Sequence, residues 1–483
     1  KDEYYLIRRR KKRPGLFSDL KKRAKYHLTE FGSSALLQRI SRVKLNREIT
    51  KLGFSGSDLV FVDHHRCHAA CAAFFSGFET ALVITIDGIG DGLSGSINLL
   101  NDNELRTVAT VSGKHSLGIF FEHVTNLMNM RELEDEGKVM ALANYAFPIP
   151  DNENPLLNLI TVEQGTVKTS CSSMALYAEL KKILWQYPSE QFAYMAQRTL
   201  EKRLCELVEQ SVDKNNIHDV CLAGGVFSNI KANMQIAELP AVDRCYVFPH
   251  MGDGGLALGA AAAVNQERSR VTRYEYDDIC WGPGYTDDEI EAALSATDFT
   301  YEHCDEIEQR AAQLIADGHI VFWFQGRMEY GPRSLGSRSI LARPNSQKIK
   351  DLLNLRLKMR VWYQPFCPSM LAEDAAVCLE AYDGLLNRYM TMGYSVQPGR
   401  HEDVVGVVNI DGSCRPQFVT DNEPRYRKLL QAIKTITGLG VVLNTSFNVH
   451  GEPLVCSPSD ALATMRVTGN DYMVMNDFLV MKK

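Results

Sequence analysis

The stretch Val62-Asp63-His64-His65-Arg66-Cys67-His68-Ala69-Ala70 joins an apolar run, 59–62, to a run of small residues, 69–75. The first run predicts a buried strand, and the second predicts a buried helix. On that helix His64 and His68 are four residues apart, so they lie on one face, one turn from each other. Two imidazoles placed in this way can bind one metal ion, although two packed core histidines would show the same spacing.

Three further strands are predicted to end in glycine turns. The strand 81–86 runs into Asp87-Gly88-Ile89-Gly90-Asp91-Gly92, 220–223 runs into Gly224-Gly225-Val226-Phe227-Ser228-Asn229, and 245–248 runs into Pro249-His250-Met251-Gly252-Asp253-Gly254-Gly255. A carboxylate at a strand end, beside a glycine turn, is a common way to hold a metal ion or a metal-bound phosphate. Each turn alone is weak evidence, but three in series predict a nucleotide cleft.

The length of 483 residues predicts two to four domains with a sizeable core, since 45% of the residues are apolar. No run of eighteen apolar residues occurs, which argues against a membrane span. The twelve cysteines are scattered and form no Cys-x2-Cys pair, as in a reduced, cytoplasmic protein. The chain begins Lys1-Asp2-Glu3 without Met, which leaves room for a further segment upstream.

The net charge of −6 is uneven, because residues 1–25 carry eleven Lys or Arg against three acids. Such a basic arm could bind nucleic acid or an anionic surface. Aromatic residues do not interleave the basic block as single-strand binding would require, so a solvated helix is the favoured interpretation. We therefore expect neither nucleic acid nor a membrane as a partner.

A charged stretch, 266–286, predicts a domain boundary near residue 272. Before it, 190–211 has helical periodicity and 147–173 has the composition of a loop. After it, predicted helices alternate with predicted strands, as in an α/β domain of roughly 200 residues. The helices are 287–295, 305–317, 346–358, 424–437 and 458–467, and the strands are 319–324, 403–410, 440–443 and 471–481.

Three polar clusters mark the second half of the chain. The loop 326–339 carries Arg327, Arg333 and Arg338 among glycines, which suits bidentate binding of polyanions better than free surface salt bridges. Lys358-Met359-Arg360 forms the second cluster. In the third, Leu443-Asn444-Thr445-Ser446-Phe447-Asn448, the polar side chains could orient an amide or a phosphate, although turn formation explains Asn444 and Ser446 equally well.

Taken together, these motifs identify a family. They are His64-x3-His68, Asp87-Gly88, Glu136-Gly137-Lys138, Gly224-Gly225-Val226-x2-Asn229, Asp253-Gly254-Gly255, Gly331-Pro332-Arg333-x-Leu335-Gly336-x-Arg338-Ser339, Pro365-Phe366-x-Pro368-Ser369, Asp411-Gly412-x2-Arg415-x-Gln417 and Asn444-Thr445-Ser446-Phe447-Asn448. In this order the chain resembles the O-carbamoyltransferases of the nodulation-factor, cephem-antibiotic and aminoglycoside type.

The resemblance implies an α/β protein of two domains. Residues 1–272 would form an actin-like (RNase H-like, duplicated) domain that binds metal and nucleotide and transfers the carbamoyl group, with its first strands lying before Lys1. Residues 273–483 would form a domain like the synthase of threonylcarbamoyl-adenylate, and would make carbamoyl-adenylate from carbamoyl phosphate and ATP. A hydroxyl of a small natural product, such as an antibiotic or toxin, would then accept the carbamoyl group at the metal site.

The resemblance also assigns roles to individual residues. Catalysis would use Arg333, Arg338, Lys358, Asn444 and Ser446. Nucleotide binding would use Arg327, Arg415, Gly224, Gly225, Asn229 and Lys138. One divalent ion, Fe(II), Zn or Mn, would be held by His64, His68, Asp87 and Asp253, and Mg can accompany the ATP.

The chain departs from the family pattern in two places, and three other classes of protein are alternatives to this assignment. A further histidine that the family uses on the acceptor hydroxyl would lie before Lys1, and Gln364 stands where many members carry Arg. The hydrogenase-maturation carbamoyltransferases have the two domains in reverse order with Cys-x2-Cys zinc fingers, and the tRNA threonylcarbamoyl-transfer proteins lack the second domain. A non-catalytic nucleotide-binding regulator would not need the second-half cations. The acceptor, the metal, the general base and the oligomeric state, for which a homodimer is compatible, are not encoded in any recognisable pattern.

Overall fold

In the computed structural model, the described residues are 35–54, 59–101, 104–271, 273–380, 382, 387–449 and 451–482. They fall into two compact units, one that ends at Glu275 and one that begins at Tyr276. Both units mix helices with β-sheet. The basic arm predicted at 1–25 lies outside the described residues, and the functions assigned to 1–272 and 273–483 stay predictions.

The first unit contains eight helices and seven strands within its described residues. The helices are α1 (Ala35–Lys51), α2 (His64–Phe74), α3 (Leu117–Leu127), α4 (Glu136–Leu142), α5 (Ser173–Leu184), α6 (Ser189–Asn215), α7 (Ile230–Ala237) and α8 (Leu256–Ser269). The strands are β1 (Ala81–Gly90), β2 (Leu93–Asn101), β3 (Glu104–Ser112), β4 (Ile160–Glu163), β5 (Thr166–Thr169), β6 (Asp219–Ala223) and β7 (Arg244–Val247).

The main sheet of this unit has the order β3-β2-β1-β6-β7. The first three strands form an antiparallel meander, whereas β6 and β7 run parallel to β1. The run 81–84 of β1 is fully buried because the strand is central and covered on both faces. The carboxyl ends of β1, β6 and β7 therefore meet at one edge, which is where the glycine turns lie.

Helix α2 packs against α8 at unusually close range because both helices carry small residues. The alanines from Ala69 to Ala73 are completely buried or nearly so. A Cβ atom at Gly259 of α8 would collide with the carbonyl group of Cys67 of α2. The run of small residues therefore fixes the depth at which the two histidines sit.

The second unit contains six helices and ten strands within its described residues. The helices are α9 (Asp287–Ser295), α10 (Ile307–Ala316), α11 (Gln347–Leu352), α12 (Ala375–Cys378), α13 (Pro424–Thr437) and α14 (Pro458–Thr468). The strands are β8 (Thr300–His303), β9 (Val321–Phe324), β10 (Arg338–Ala342), β11 (Cys367–Leu371), β12 (Tyr394–Ser395), β13 (Ser413–Cys414), β14 (Gln417–Val419), β15 (Val441–Ser446), β16 (Tyr472–Met475) and β17 (Phe478–Met481).

Eight of these strands form one mixed sheet in the order β14-β11-β15-β10-β9-β16-β17-β8. Helices α10 and α13 pack on one face and bury Leu429 and Leu430 against Trp323 of β9. Proline at the start of α13 and Gly438 just beyond its end, in the left-handed conformation with φ of 83°, set the limits of that helix. The loop that carries Arg327 and Arg333 connects the central strands β9 and β10, and Arg415 lies just before the edge strand β14.

Four predicted elements differ from the structure. The strand predicted at 471–481 is a hairpin of two antiparallel strands, β16 and β17. The apolar run 59–62 is not a strand, and Val60 and Phe61 are 46% and 42% exposed. The run 403–410 contains a short turn of 3-10 helix, Glu402–Val404, rather than a strand, although Val404 and Val407 are buried. The predicted loop 147–173 holds the hairpin of β4 and β5. Within the described ranges, no helix is long and apolar enough to cross a membrane.

Candidate metal centre and anion site

Four side chains of the first unit point donor atoms at a common centre. Nε2 of His64 and Nε2 of His68 each lie 3.1 Å from Oδ2 of Asp87, and the two nitrogens are 3.1 Å apart. Oδ1 of Asp253 lies 3.6 Å from both nitrogens. The four donor atoms all fall within 4.8 Å of one another. The structure therefore brings together the four residues that the sequence nominated as metal ligands.

Three elements at the sheet edge supply these four residues. His64 and His68 come from the first two turns of α2, Asp87 from the end of β1, and Asp253 from the turn after β7. Oδ2 of Asp91 accepts a hydrogen bond of 2.8 Å from the amide of His64, which ties the start of α2 to the β1–β2 turn. A Cβ atom at Gly90 would collide with the His64 ring, so this position admits only glycine beside that histidine.

Contacts within the cluster shift the pKa values of Asp87 and His68. Burial opposes ionisation of Asp87, but hydrogen bonds to His64 and His68 outweigh it and hold the pKa of that carboxyl well below its usual range. Burial likewise disfavours the charged form of His68, yet the carboxylates of Asp253 and Asp87 raise its pKa. His68 is almost fully buried, whereas the Asp253 side chain is 73% exposed. One wall of the cluster therefore opens to solvent.

The donor set fits a first-row divalent metal ion. Two ligands at about 2.1 Å from one ion, at tetrahedral or octahedral angles, lie about 3.0 to 3.4 Å apart. The two imidazole nitrogens and Oδ2 of Asp87 are separated by 3.1 Å in each pair. Two neutral imidazoles and two carboxylates would also balance the charge of such an ion.

His65 has a different role from its two neighbours. Its Nδ1 accepts from the Thr85 hydroxyl at 2.8 Å, and its Nε2 donates to the carbonyl of Leu93 at 3.2 Å. Burial, reinforced by the charge of His64, lowers the pKa of His65 to about 4. His65 is therefore a neutral structural residue that fastens α2 to β1 and β2.

Of the residues expected to bind the nucleotide in the first unit, some lie at the metal cluster and others make contacts elsewhere. Gly225 donates its amide to Oδ1 of Asp87 at 3.2 Å, and Gly224 adopts φ of 105°, with no room for a Cβ against Ile86. Asn229 instead caps α7 by accepting from the amide of Ala232, and it exchanges hydrogen bonds with Gln197. Lys138 of α4 pairs with Asp135, the residue just before that helix, at 2.7 Å. Of these four residues, Gly225 contacts a side chain of the metal cluster, and Gly224 precedes it in the same turn.

The second unit contains a cluster of cationic side chains around Cys367. Nε and Nη2 of Arg415 lie 3.1 and 3.0 Å from the Cys367 sulfur. The charges of Arg333 and Arg360 both interact with Arg415 and with Cys367. Nζ of Lys358 donates to the side chains of Ser446 and Asn448, at 3.1 and 2.7 Å, and its charge interacts with Arg360. We call Arg333, Lys358, Arg360 and Arg415 the cation cluster.

The cation cluster lacks compensating negative charge. No carboxylate pairs with any of its four members in the part of the chain that the structure describes. Burial, and then the charge of Arg415, lower the pKa of Arg333 to about 9, and burial lowers the pKa of Arg360 to about 10. Buried charges are normally paired, so the chemistry of this arrangement suits an anion with several negative charges.

Three predicted residues of the second unit lie outside the cation cluster. The fully buried Arg338 donates to the carbonyls of Gln325, Gly326, Ser337 and Pro283 and stacks on the Phe324 ring. Arg327 donates to the carbonyls of Trp281 and Gly282. Asn444 joins β15 to Ser334, Ser369 and Gln417 through its side-chain amide. The observed contacts of all three are structural, and their catalytic or nucleotide-binding roles stay predictions.

Sequence reasoning overlooked three residues of these sites. Asp91 and Cys367 stood inside recognised motifs, but spacing alone did not reveal that they contact His64 and Arg415. Arg360 was noticed beside Lys358 yet was not nominated; its guanidinium is held by Asn354 at 2.6 Å and lies over the Phe366 ring. The sequence signal that could have identified Arg360 as a site residue was its position close to the Pro365-Phe366 motif.

Comparisons with known proteins agree along most of the chain. Residues 27–262 match the family model of the carbamoyltransferase N-terminus, and residues 312–482 match that of the carbamoyltransferase C-terminus. An uncharacterized protein of Methanocaldococcus jannaschii is 33% identical over 93% of this chain and 78% of its own length. Nodulation protein NolNO of Sinorhizobium fredii is 30% identical over 95% of this chain and 71% of its length. Nodulation protein NolO of Bradyrhizobium diazoefficiens is 32% identical over 87% of this chain and 79% of its own length.

Solved structures of HypF are more distant. HypF of T. kodakarensis is 14% identical, with a TM-score of 0.29, over 47% of this chain and 39% of that one. Full-length HypF in its phosphate- and nucleotide-bound form is 13% identical, with a TM-score of 0.32, over 47% of this chain and 46% of that one.

Proposed function

This chain belongs to the carbamoyltransferase family, and we propose that it uses ATP and carbamoyl phosphate to carbamoylate a hydroxyl of a small natural product. The observation that carries the proposal is the cation cluster of the second unit, with four buried or partly buried cations and no paired carboxylate among the described residues. ATP and carbamoyl phosphate are both polyanions of the kind that such a site neutralises.

In the second unit, the cation cluster would bind the phosphates of both substrates. Water would first hydrolyse carbamoyl phosphate, which releases phosphate and leaves carbamate. A carbamate oxygen would then attack the α-phosphorus of ATP, which forms carbamoyl-adenylate and displaces pyrophosphate. Arg333 and Arg415 would stabilise the charge that spreads over the phosphoryl oxygens, because fixed cations need no reorganisation during the reaction. Lys358, held by Ser446 and Asn448, would orient the leaving phosphates.

In the first unit, His64, His68, Asp87 and Asp253 would hold one divalent ion. When bound, that ion would supply Lewis-acid stabilisation of the phosphate of AMP, which is the group that leaves when the acceptor hydroxyl takes the carbamoyl group. Gly225 fixes the Asp87 carboxylate through its amide, and the bare backbone at Gly224 and Gly225 would let a nucleotide approach. The meander followed by two parallel strands supports the actin-like fold that we propose for this unit.

Two substitutions test the division of labour between the sites. We expect Arg333→Ala to abolish the release of pyrophosphate from ATP and carbamoyl phosphate, and His68→Ala to spare that release while blocking transfer to an acceptor. Pyrophosphate release and the mass gain of one carbamoyl group on candidate acceptors are the two measurements. Arg310→Ala, on the exposed face of α10, is the matched control and should change neither.

Two results would overturn the proposal. Loss of pyrophosphate release in His68→Ala would contradict separate sites. Wild-type protein that releases neither phosphate nor pyrophosphate with any divalent metal would instead favour a non-catalytic nucleotide-binding regulator.

A further inference from the structure

The second unit contains an aromatic cluster of Tyr276, Trp281, Tyr330 and Tyr389. Trp281 and Tyr330 are stacked, with ring centroids 5.2 Å apart and an interplanar angle of 28°. Tyr276 meets the edge of Trp281 at 6.2 Å and stacks on Tyr389 at 5.9 Å. Tyr389 is buried, whereas Trp281 is 38% exposed. Trp281 is therefore the outermost ring, supported from behind by Tyr330.

Two paired segments hold Trp281 in this position. The amide of Gly282 donates to the Met328 carbonyl at 2.9 Å, and the amide of Met328 donates to the Pro283 carbonyl at 2.9 Å. The amide of Tyr330 donates to the carbonyl of Ile279 at 2.7 Å. Arg327 adds hydrogen bonds to the carbonyls of Trp281 and Gly282. The exposed ring is therefore fixed by its backbone on both sides.

The aromatic cluster adjoins the cation cluster. Tyr389 belongs to the same buried apolar cluster as Cys367, the residue whose sulfur contacts Arg415, and Tyr276 and Tyr330 pack against that cluster. Tyr330 also lies three residues before Arg333 in the same loop. A fixed, partly exposed indole beside several uncompensated cations matches a ligand that joins a flat ring to a polyanionic tail, which is the chemistry of a nucleotide.

We propose that the base of the nucleotide stacks on Trp281 while its phosphates occupy the cation cluster. This inference rests on the proposed function, in which the second unit binds ATP. It also gives Arg327 a positioning role, since that side chain holds the loop that presents Trp281 rather than contacting phosphate.

The test compares ATP with inorganic tripolyphosphate, which keeps the charges of ATP but has no base. In the full chain, we expect Trp281→Ala to weaken ATP binding about 5- to 100-fold, the range for loss of one stacking contact. Tripolyphosphate binding should stay unchanged, and Trp281→Phe should restore most of the ATP affinity. Trp185→Ala, which removes an 82% exposed tryptophan from the other unit, should alter neither ligand. Isothermal titration calorimetry gives both dissociation constants.

Three results separate this inference from the proposed function. Unchanged ATP affinity in Trp281→Ala, in a protein that still forms carbamoyl-adenylate, would overturn the stacking site and leave the proposed function standing. An equal loss for ATP and tripolyphosphate would also overturn it, because the substitution would then act on the phosphate site. Wild-type protein that binds ATP with a Trp281-dependent affinity but makes no carbamoyl-adenylate would support stacking while the proposed function fails.

Discussion

The carboxylate of Glu329 organises the loop that presents Arg333. One of its oxygens, Oε1, accepts from the amides of Leu335 at 2.7 Å, Ser337 at 3.3 Å and Arg338 at 3.2 Å. The hydroxyl of Ser334 adds a fourth contact at 3.3 Å. Glu329 is buried, so water cannot replace these bonds. A single side chain thus fixes the backbone on which the cation cluster depends.

Glu329→Ala should lower the free energy of unfolding by about 3 kcal/mol, because it leaves several buried amide groups without an acceptor. Glu329→Gln retains an acceptor oxygen and should lose less than half as much. Urea denaturation measures both values. A Glu329→Ala protein as stable as wild type would show that the loop holds its shape without this carboxylate.

Single residues were predictable where the argument was local. The four-residue spacing of His64 and His68 and the strand-end position of Asp87 follow from the geometry of one helix and one strand. By contrast, Arg333 and Arg338 share one motif, yet only Arg333 belongs to the cation cluster. The path of the loop decides which guanidinium turns toward backbone carbonyls, and Gly331 and Gly336 shape that path with φ of 110° and 101°. Spacing carries no information about that choice.

Helix α6 is joined to a neighbouring turn by one carboxylate. The Asp151 carboxylate accepts hydrogen bonds from Nε of Arg198 and Nζ of Lys202, each at 2.8 Å. These two cations are one helical turn apart. The hydrogen bond from Arg198 holds the pKa of Asp151 well below its usual range. Partial burial acts in the opposite direction, and the hydrogen bond from Lys202 helps to offset it. The 3-10 turn Asp151–Glu153 is thereby anchored to the longest helix of the described residues.

Asp151→Asn should lower the free energy of unfolding by about 1 kcal/mol at pH 7, as for a partly exposed ion pair. The folded pKa lies below the unfolded value of about 3.9, so the wild-type advantage is complete above that value. This stability advantage should shrink as the pH falls from 5 to 3, because the Asp151 carboxyl of the unfolded state then becomes protonated before that of the folded state. Urea titrations of both proteins at pH 7, 5 and 3 give the difference, and a difference that is constant with pH would refute the ion-pair explanation.

Whole elements were predictable where a pattern was long and regular. The periodic helix 424–437 occurs with the same bounds, and 190–211 lies within α6. Short or irregular elements were not. The four-residue strands β4 and β5 are too brief to show alternation, and they pair through their backbones. The run 403–410 buries Val404, Val407 and Val408 without joining a sheet, since hydrophobicity specifies burial but not a hydrogen-bonding partner.

The two compact units should respond to different ligands in the full chain. A divalent metal should stabilise the unit that contains His68, and tripolyphosphate the unit that contains Arg333, each by about 2.7 kcal/mol at one hundred times its dissociation constant. For units of this size, the corresponding rise in Tm is roughly 5 to 10 °C. Differential scanning calorimetry should therefore show two transitions that shift separately.

Variants identify which transition belongs to which unit. His68→Ala should cancel the shift caused by metal and preserve the shift caused by tripolyphosphate, while Arg333→Ala should do the reverse. One transition that both ligands raise together, in wild type and in both variants, would contradict separate binding by the two units.

The metal cluster draws its donors from distant parts of the chain, which bears on how the protein is made. The amide of Gly225 meets a carboxylate 138 residues earlier, and the Cys71 thiol meets a carbonyl 184 residues later. A ribosome extends a chain at about 5 to 20 residues per second, so Asp253 emerges roughly ten to forty seconds after the two histidines. Until then the nascent chain offers only His64, His68 and Asp87. Asp253, the exposed fourth ligand, is therefore added last, and the complete ligand set is a product of late, long-range folding.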